Sequence, residues 1–150
     1  MVKEYTLILE NGLPTLSMVK DYHENLNIKC DRDIIDFMIR HYHLNIMAEE
    51  YAYVIALATD GACLGIFQIS HGTVNASLVS PREIFIRCLL IGATNIIFIH
   101  NHPSGNPKES HEDRNITKKL KDAGLIIGIK LIDSIIIGRE NENHINNINI

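Results

Sequence analysis

The chain contains 150 residues with a formal net charge of −4 at pH 7, and 46% of its residues are hydrophobic. This length fits a single globular domain, and the apolar content is sufficient for a buried core, so wholesale disorder is excluded. The negative balance also argues against a domain built on phosphate contacts, because such surfaces usually carry a basic excess. Nucleic-acid binding through this domain alone is therefore not expected.

The apolar runs, the N-terminus and the cysteines indicate where in the cell the protein is expected to reside. The longest apolar stretch, residues 88–99, is interrupted by Gly92, Thr94 and Asn95 and falls short of the ~18 residues that a membrane helix needs. The N-terminus has no signal-peptide pattern, and the cysteines form no Cys-x-x-Cys pair. We therefore expect a cytoplasmic protein with reduced thiols and no membrane span.

The first elements in the chain are a strand and a helix. Residues 5–9 form a β-prone run that ends at Asn11-Gly12, and no clear period follows it, so residues 1–30 are interpreted as an N-terminal lead-in with one short strand. Apolar residues then recur at helical spacing. This spacing predicts a helix over residues 32–43 that is capped by Asp31.

A hairpin is predicted next. Residues 51–59 and 62–70 are rich in β-formers and flank Asp60-Gly61, a dipeptide that tight turns favour because their backbone needs positive φ. In a regular hairpin, His71 lies across from Glu50. There it either tunes the Glu50 carboxylate or is a solvated residue beside the turn, which is the more ordinary role.

Helix and strand signals alternate after the hairpin. Ser80-Pro81-Arg82-Glu83 predicts a helix over residues 81–90, with Ser80 as N-cap and Glu83 reaching back to it. The apolar run at residues 95–99 is typical of a strand covered on both faces. That strand delivers His100 to its C-terminal end.

The last predicted elements are one helix and two strands. The helix covers residues 110–123, with Ser110 as N-cap and Gly124 directly after its end. Strands are predicted at residues 126–132 and 135–137. This order of elements predicts the α/β (α+β) class, with a mixed β-sheet flanked by helices in two or three layers.

The sequence is therefore divided into three parts. Residues 31–138 are expected to form the domain that carries the function, after the lead-in of residues 1–30. Residues 139–150 form an Asn-rich tail. An exposed edge strand in such a sheet offers a route to a homo-oligomer, which the sequence leaves open.

A possible metal site follows the strand at residues 95–99. His100 and His102 leave this strand two residues apart and so point to the same side, where both imidazoles can reach one ion. Asp113 lies in the first turn of the next helix, whose dipole keeps a carboxylate ionised. Two histidines, one carboxylate and a water form a tetrahedral Zn²⁺ site that lowers the pKa of the water toward ~7.

Each part of this pattern has an ordinary structural explanation when it stands alone. An isolated His-x-His is usually chance, and His41 and His43 illustrate this because side chains two apart on a helix diverge. Ser110-x-x-Asp113 is by itself a capping box. The joint spacing of strand, His-x-His, seven residues, Ser-x-x-Asp and helix is what indicates a site.

This spacing resembles the signature of the JAMM (JAB/MPN) zinc metalloproteases, and His-Asn-His-Pro-Ser-Gly from His100 is similar to the RadC family of bacterial proteins within it. The similarity covers roughly residues 31–138, including the segments 69–73, 81–83 and 131–138. It implies a JAB/MPN-like mixed sheet with a cytidine-deaminase-like architecture and the activity of a zinc metallopeptidase.

The resemblance also implies roles for individual residues. It implies that His100, His102 and Asp113 bind zinc and that Ser110 helps to hold the reacting oxygen. It places the general base on Glu50, directly before the first hairpin strand. Glu49 is expected to be a solvated surface residue, because adjacent side chains of an extended segment leave on opposite faces.

Two departures from the RadC pattern bear on these expectations. Ser134 stands where RadC proteins usually carry a histidine, so any role of that histidine is absent or reassigned. Full-length RadC proteins also have an N-terminal helix-hairpin-helix segment, for which this sequence lacks room. DNA contacts of that segment are therefore not expected here.

The sequence thus predicts a zinc metallohydrolase that cleaves an amide or isopeptide-type bond in an unknown protein or peptide. The alternative is a non-catalytic, metal-bearing module that binds a partner or is associated with DNA. A metal-dependent nuclease is less favoured, since such sites gather several carboxylates. An HNH nuclease and a zinc deaminase are rejected, because the first separates its three residues widely and the second needs H-x-E and P-C-x-x-C.

Overall fold

The computed structural model describes residues 1–75 and 79–139, together with a short strand at 145–146. Over these residues the chain forms a seven-stranded mixed sheet in the order β2-β1-β4-β3-β5-β6-β7. The strands are β1 (Lys3–Glu10), β2 (Leu13–Asp21), β3 (Glu50–Leu57), β4 (Cys63–Gly72), β5 (Asn95–Asn101), β6 (Lys130–Ile137) and β7 (Ile145–Asn146). The helices are α1 (Asp31–Tyr42), α2 (Pro81–Ile91) and α3 (His111–Ile127). The predicted α/β class is confirmed.

Strand β3 lies at the centre of the sheet and separates two apolar layers. It pairs antiparallel with both β4 and β5, and β5 pairs parallel with β6. Its alternate side chains face opposite sides, as a strand requires. One set packs with α2 and α3 and comprises Ala52, Val54 and Ala56. The other packs with α1 and comprises Tyr53, Ile55 and Leu57.

This arrangement is a three-layer sandwich with α1 on one face of the sheet and α2 and α3 on the other. Strand β5 is buried over almost its whole length, which confirms that its continuous apolar run marks a strand covered on both faces. None of the helices in the described part of the chain is long and apolar enough to span a bilayer.

The N-terminal segment contains more structure than the sequence predicted. The turn at Asn11-Gly12 is confirmed, with φ values of 51° and 78°, but a second strand, β2, follows it and pairs with β1. This strand lies at the sheet edge, where residues such as Met18 and Val19 stay exposed. An edge strand with little burial has no clear apolar alternation, and the sequence pattern therefore missed it.

Two of the predicted helix caps differ from the structure. Cys30, not Asp31, is the N-cap of α1, and the Asp33 carboxylate accepts the backbone N–H groups of Lys29 and Cys30 at 2.8 and 3.0 Å. Ser80 is the N-cap of α2 as predicted, but its side chain makes no capping hydrogen bond. Glu83 does not reach back to it, because neighbouring arginines provide charged partners instead: Arg82 and Arg87.

Helix α3 extends four residues beyond its predicted end. It runs to Ile127, and Gly128 with φ 86° is its C-cap in place of Gly124. The apolar run of residues 125–127 mimics a strand, yet it is the exposed last turn of the helix, where Ile126 is 87% exposed. The two predicted strands at residues 126–132 and 135–137 are therefore one strand, β6.

Gly124 serves the helix through its small size. A Cβ atom at this position would lie 2.3 Å from the carbonyl oxygen of Ile129, which is backbone and cannot move aside cheaply. The same position also lies against the ring of Phe85 from α2. The glycine thus permits the chain to turn closely from α3 into β6.

Replacing Gly124 with Ala should therefore destabilise the protein, although Ala normally gains ~1 kcal/mol over Gly inside a helix. The clash should lower the free energy of unfolding by about 1–3 kcal/mol, measured by urea denaturation. Asn115→Ala, at an exposed position of the same helix, is the control and should be neutral or slightly stabilising. A more stable Gly124→Ala variant would contradict the close approach of Ile129.

Candidate metal centre

Three potential metal ligands converge where β5 ends and α3 begins. His100 is the penultimate residue of β5, His102 directly follows the strand, and Asp113 lies in the first turn of α3. The Nε2 atoms of the two histidines are 3.1 Å apart. The Asp113 carboxylate places Oδ1 2.9 Å from Nε2 of His100 and Oδ2 3.3 Å from Nε2 of His102. The predicted trio is therefore brought together and forms a group that can bind a metal ion.

The spacing of these atoms fits a small tetrahedral ion. Ligand atoms ~2.0–2.1 Å from a tetrahedral zinc are separated from each other by about 3.3 Å. The two histidine nitrogens are 3.1 Å apart, and each lies 2.9 to 3.3 Å from one of the two oxygens of Asp113. Two imidazoles and one carboxylate also form a donor set of the kind found in zinc sites that keep a fourth position open.

The loop after β5 fixes the orientation of the second histidine. The Nδ1 atom of His102 lies 2.9 Å from the carbonyl oxygen of Asn106. A carbonyl oxygen only accepts, so Nδ1 donates its proton, and Nε2, which donates to Asp113 when it is protonated, would offer its lone pair to a metal on losing that proton. A hydrogen bond from the ring nitrogen that does not bind the metal is typical of histidine ligands in metal sites.

The electrostatics of the site favour an ionised Asp113. Burial alone raises the pKa of this carboxyl, but hydrogen bonds from His100, His102 and Ser110 outweigh it, and the pKa lies well below its usual range. The hydrogen bond with Asp113 in turn raises the pKa of His102, and burial opposes this rise. The helix N-terminus adds further positive potential at the carboxylate.

Ser110 occupies the N-cap of α3 beside the trio. Its Oγ atom accepts the backbone N–H of Asp113 at 3.1 Å, and its own N–H donates to Oδ2 of Asp113 at 2.6 Å. The predicted capping box is thus confirmed. Because Oγ accepts in this motif, its hydroxyl proton is left to donate either to the Asp113 carboxylate or toward the site.

Glu50 begins β3 on the face of the sheet that carries the two histidines. Ala52 pairs with His100, so two further residues along the same antiparallel register place Glu50 across from His102. The loop after β4 also holds the carboxylate, because its Oε2 atom accepts the backbone N–H of Val74 at 2.8 Å. The charge of Glu50 also contributes to the raised pKa of His102, as its proximity requires.

The expected pairing of His71 with Glu50 is wrong. The hairpin contains two register shifts, so Glu50 pairs with Gly72 and Tyr51 pairs with His71. His71 instead contacts the carboxylate of Glu49, which is exposed as expected, and its ring stacks on Tyr51 with centroids 4.2 Å apart. The imidazole therefore belongs to the opposite face of β3 from Glu50.

Two further buried polar residues lie near the site, and sequence reasoning missed the role of the first, Asn101. Asn101, between the two histidines, is 0% exposed, and the two ends of its carboxamide bond to the backbone of Tyr51 in β3 and of Glu49 directly before β3. Ser134, at the position of the usual RadC histidine, bonds to the hydroxyl of Thr117 on α3 at 3.1 Å. The sequence did contain a signal for Asn101, because it is a polar residue at the end of an apolar strand. A carboxamide buried there requires hydrogen-bond partners.

The chain is similar in sequence to a family model and to curated proteins. Residues 28–145 match the family model described as the RadC-like JAB domain. A UPF0758 protein of Clostridium acetobutylicum is 49% identical over 115 residues, which cover 77% of this chain and 49% of that protein. A UPF0758 protein of Caldanaerobacter subterraneus is 37% identical over 121 residues, covering 81% and 51% respectively. The chain thus spans about half the length of the curated relatives that it matches.

The ligand assignment predicts that Asp113→Asn will separate metal binding from folding. Asn keeps an oxygen for the N–H of Ser110, so the helix cap should persist and the fold should remain. Zinc affinity should fall by at least ~100-fold. Loss of a residue that only hydrogen-bonds to a metal ligand already lowers metal affinity by 10–100-fold.

Isothermal titration with zinc and circular dichroism check this prediction. Asp122→Asn is the matched control, because Asp122 lies on the exposed face of α3 and pairs with Lys118. Unchanged zinc affinity in a folded Asp113→Asn variant would remove Asp113 from the ligand set.

Proposed function

Because the chain belongs to the RadC-like JAB domain family, we propose that it is a zinc-dependent metallohydrolase that cleaves an amide or isopeptide-type bond in a protein or peptide. One observation carries this proposal. A largely buried trio of two imidazoles and one carboxylate lies beside a second carboxylate, that of Glu50, which comes from a different strand on the same face.

The donor set supports zinc as the metal. His100, His102 and Asp113 supply two nitrogens and one oxygen, and imidazole together with a single carboxylate suits zinc better than magnesium or calcium, which prefer oxygen ligands. Bound there, zinc would polarise a carbonyl group and lower the pKa of a water molecule toward ~7.

Glu50 is proposed to act as the general base. Its Oε2 atom is held by the N–H of Val74, and its place across from His102 brings the carboxylate to the edge of the trio. The carboxylate accepts a proton from the attacking water and passes it to the leaving amine, which would otherwise depart as an unstable anion.

Ser110 is proposed to stabilise the negative charge that develops on the carbonyl oxygen. Its position is fixed by two hydrogen bonds with Asp113, so donation of its hydroxyl proton requires no rearrangement of the helix start. Preorganised donors of this kind typically contribute 10²–10³-fold in rate.

Replacing Glu50 with Gln should lower turnover by 10²–10⁴-fold, because the amide keeps the shape of the side chain but cannot accept the proton. Zinc content should stay at the wild-type level. The measurement is cleavage of a peptide and isopeptide mixture by the zinc-loaded protein, followed by mass spectrometry.

Glu49→Gln is the matched control, because Glu49 adjoins Glu50 but is exposed and contacts His71. It should stay within ~3-fold of wild type, since it removes no general base. Equal activity of the two variants would exclude Glu50 as the base. A wild-type protein that binds zinc but cleaves nothing would favour the alternative, a non-catalytic metal-bearing module.

Ser110→Gly should test the oxyanion role with little effect on the helix. Glycine at an N-cap costs only a few tenths of a kcal/mol relative to serine, whereas the hydroxyl donor is lost completely. Turnover in the same assay should fall by about 10²–10³-fold with zinc content unchanged. Wild-type turnover of Ser110→Gly would show that this hydroxyl does not act on the substrate.

A further inference from the structure

We propose that Asn101 is a positioning residue, which holds the backbone of Glu50 in place so that its carboxylate meets the metal ligands. The inference rests on the proposed function, in which Glu50 is the general base. It concerns the residue between the two histidines, which the metal-ligand pattern leaves without a role.

The carboxamide of Asn101 bonds to the two residues that flank Glu50. Its Oδ1 atom accepts the backbone N–H of Tyr51 at 2.7 Å, and its Nδ2 atom donates to the carbonyl oxygen of Glu49 at 3.0 Å. Both lengths are those of good hydrogen bonds. Since Asn101 is 0% exposed, water cannot replace either bond if the side chain is lost.

These two bonds take over where the ladder between β3 and β5 stops, while the ladder between β3 and β4 continues to Glu50 and Gly72. Backbone pairing between β3 and β5 ends at Ala52 and His100, two residues before Glu50 would lie across from His102. Beyond that pair the Asn101 side chain bridges the strands in place of backbone groups. Glu50 therefore cannot slide along or away from β5 without breaking a bond on one side of its Cα.

The side chain of Asn101 lies on the opposite face of β5 from the metal ligands. Residues alternate along a strand, so His100 and His102 face α3 while Asn101 faces the other way. Among the described residues, its hydrogen bonds go to β3 and none joins it to the ligand trio. Its loss should therefore act on Glu50 and leave zinc binding nearly unchanged.

The amide of Val74 reports the position of Glu50 directly. This N–H donates to the Glu50 carboxylate from outside both strands that Asn101 connects. If Asn101 holds Glu50 in place, its removal should weaken the Val74 bond at a distance. A general loss of stability has no reason to affect this amide selectively.

The test replaces Asn101 with Leu, which has a similar shape but no polar atoms. In the zinc-loaded protein, hydrogen exchange of the Val74 amide, followed by NMR, should become at least tenfold faster. Zinc affinity should stay within threefold of wild type. Turnover should fall at least tenfold in the wild-type background and not further when Glu50→Gln is already present, because the two residues act through one carboxylate.

Asn95→Leu is the matched control, since Asn95 lies on the same strand and face and its amide bonds to the carbonyl of Ala58 beyond the other end of β3. It should leave the Val74 amide and turnover unchanged. If Asn101→Leu does not fold, Asn101→Asp keeps the acceptor for Tyr51 and replaces the donor to Glu49 with an oxygen that repels the Glu49 carbonyl, and the same measurements apply.

An unchanged Val74 amide in a folded Asn101 variant would overturn the inference, as would an equal effect of Asn95→Leu. Additive losses of turnover in the double variant with Glu50→Gln would also overturn it. Faster exchange of Val74 combined with full turnover of Glu50→Gln would support the positioning contact and overturn the general-base proposal, so the two failures are distinguishable.

Discussion

The buried carboxylate of Asp113 is the constraint on which the candidate site depends. An anion with so little exposure is costly unless positive or donor groups surround it, and here two imidazoles, the N–H of Ser110 and the start of a helix do so. These groups come from β5, from the loop after it and from α3. The fold must therefore bring the C-terminal end of a buried strand to the N-terminal end of a helix, and the apolar layers on both faces of the sheet hold that junction in place.

A second consequence of the sheet is that the Glu50 carboxylate and the two histidines come from neighbouring strands. The antiparallel register of β3 and β5, with Ala52 against His100, sets Glu50 on the same face as both histidines. Glu50 pairs with Gly72 of β4 but lies beyond the last backbone pair between β3 and β5, so toward β5 its position depends on the side chain of Asn101, and the N–H of Val74 holds its carboxylate. The site thus combines a rigid ligand trio with a carboxylate whose placement is controlled separately.

Much of this architecture was predictable from local patterns, and the failures have physical causes. The central strands, three helices, the Asn11-Gly12 turn and the Ser110 cap follow from burial, spacing and capping chemistry. The end of α3 was predicted wrongly. A glycine in the sequence indicates a helix end through its positive φ, but Gly124 lies inside the helix and is required for its small size. The predicted pairing of His71 with Glu50 was wrong because bulges depend on contacts that a period-two pattern does not contain.

The trio of His100, His102 and Asp113 was predictable from its spacing and its resemblance to RadC proteins. The role proposed for Asn101 was not, because it arises from backbone groups about 50 residues away in the sequence.

The central claim is that His100, His102 and Asp113 together hold one zinc ion. Protein purified without chelators and supplied with zinc tests it most directly, by elemental analysis combined with X-ray absorption at the zinc edge. The account predicts about one zinc per chain, bound only to nitrogen and oxygen ligands at ~2.0–2.2 Å. Absence of zinc after supplementation, or a sulfur ligand at ~2.3 Å, would contradict it.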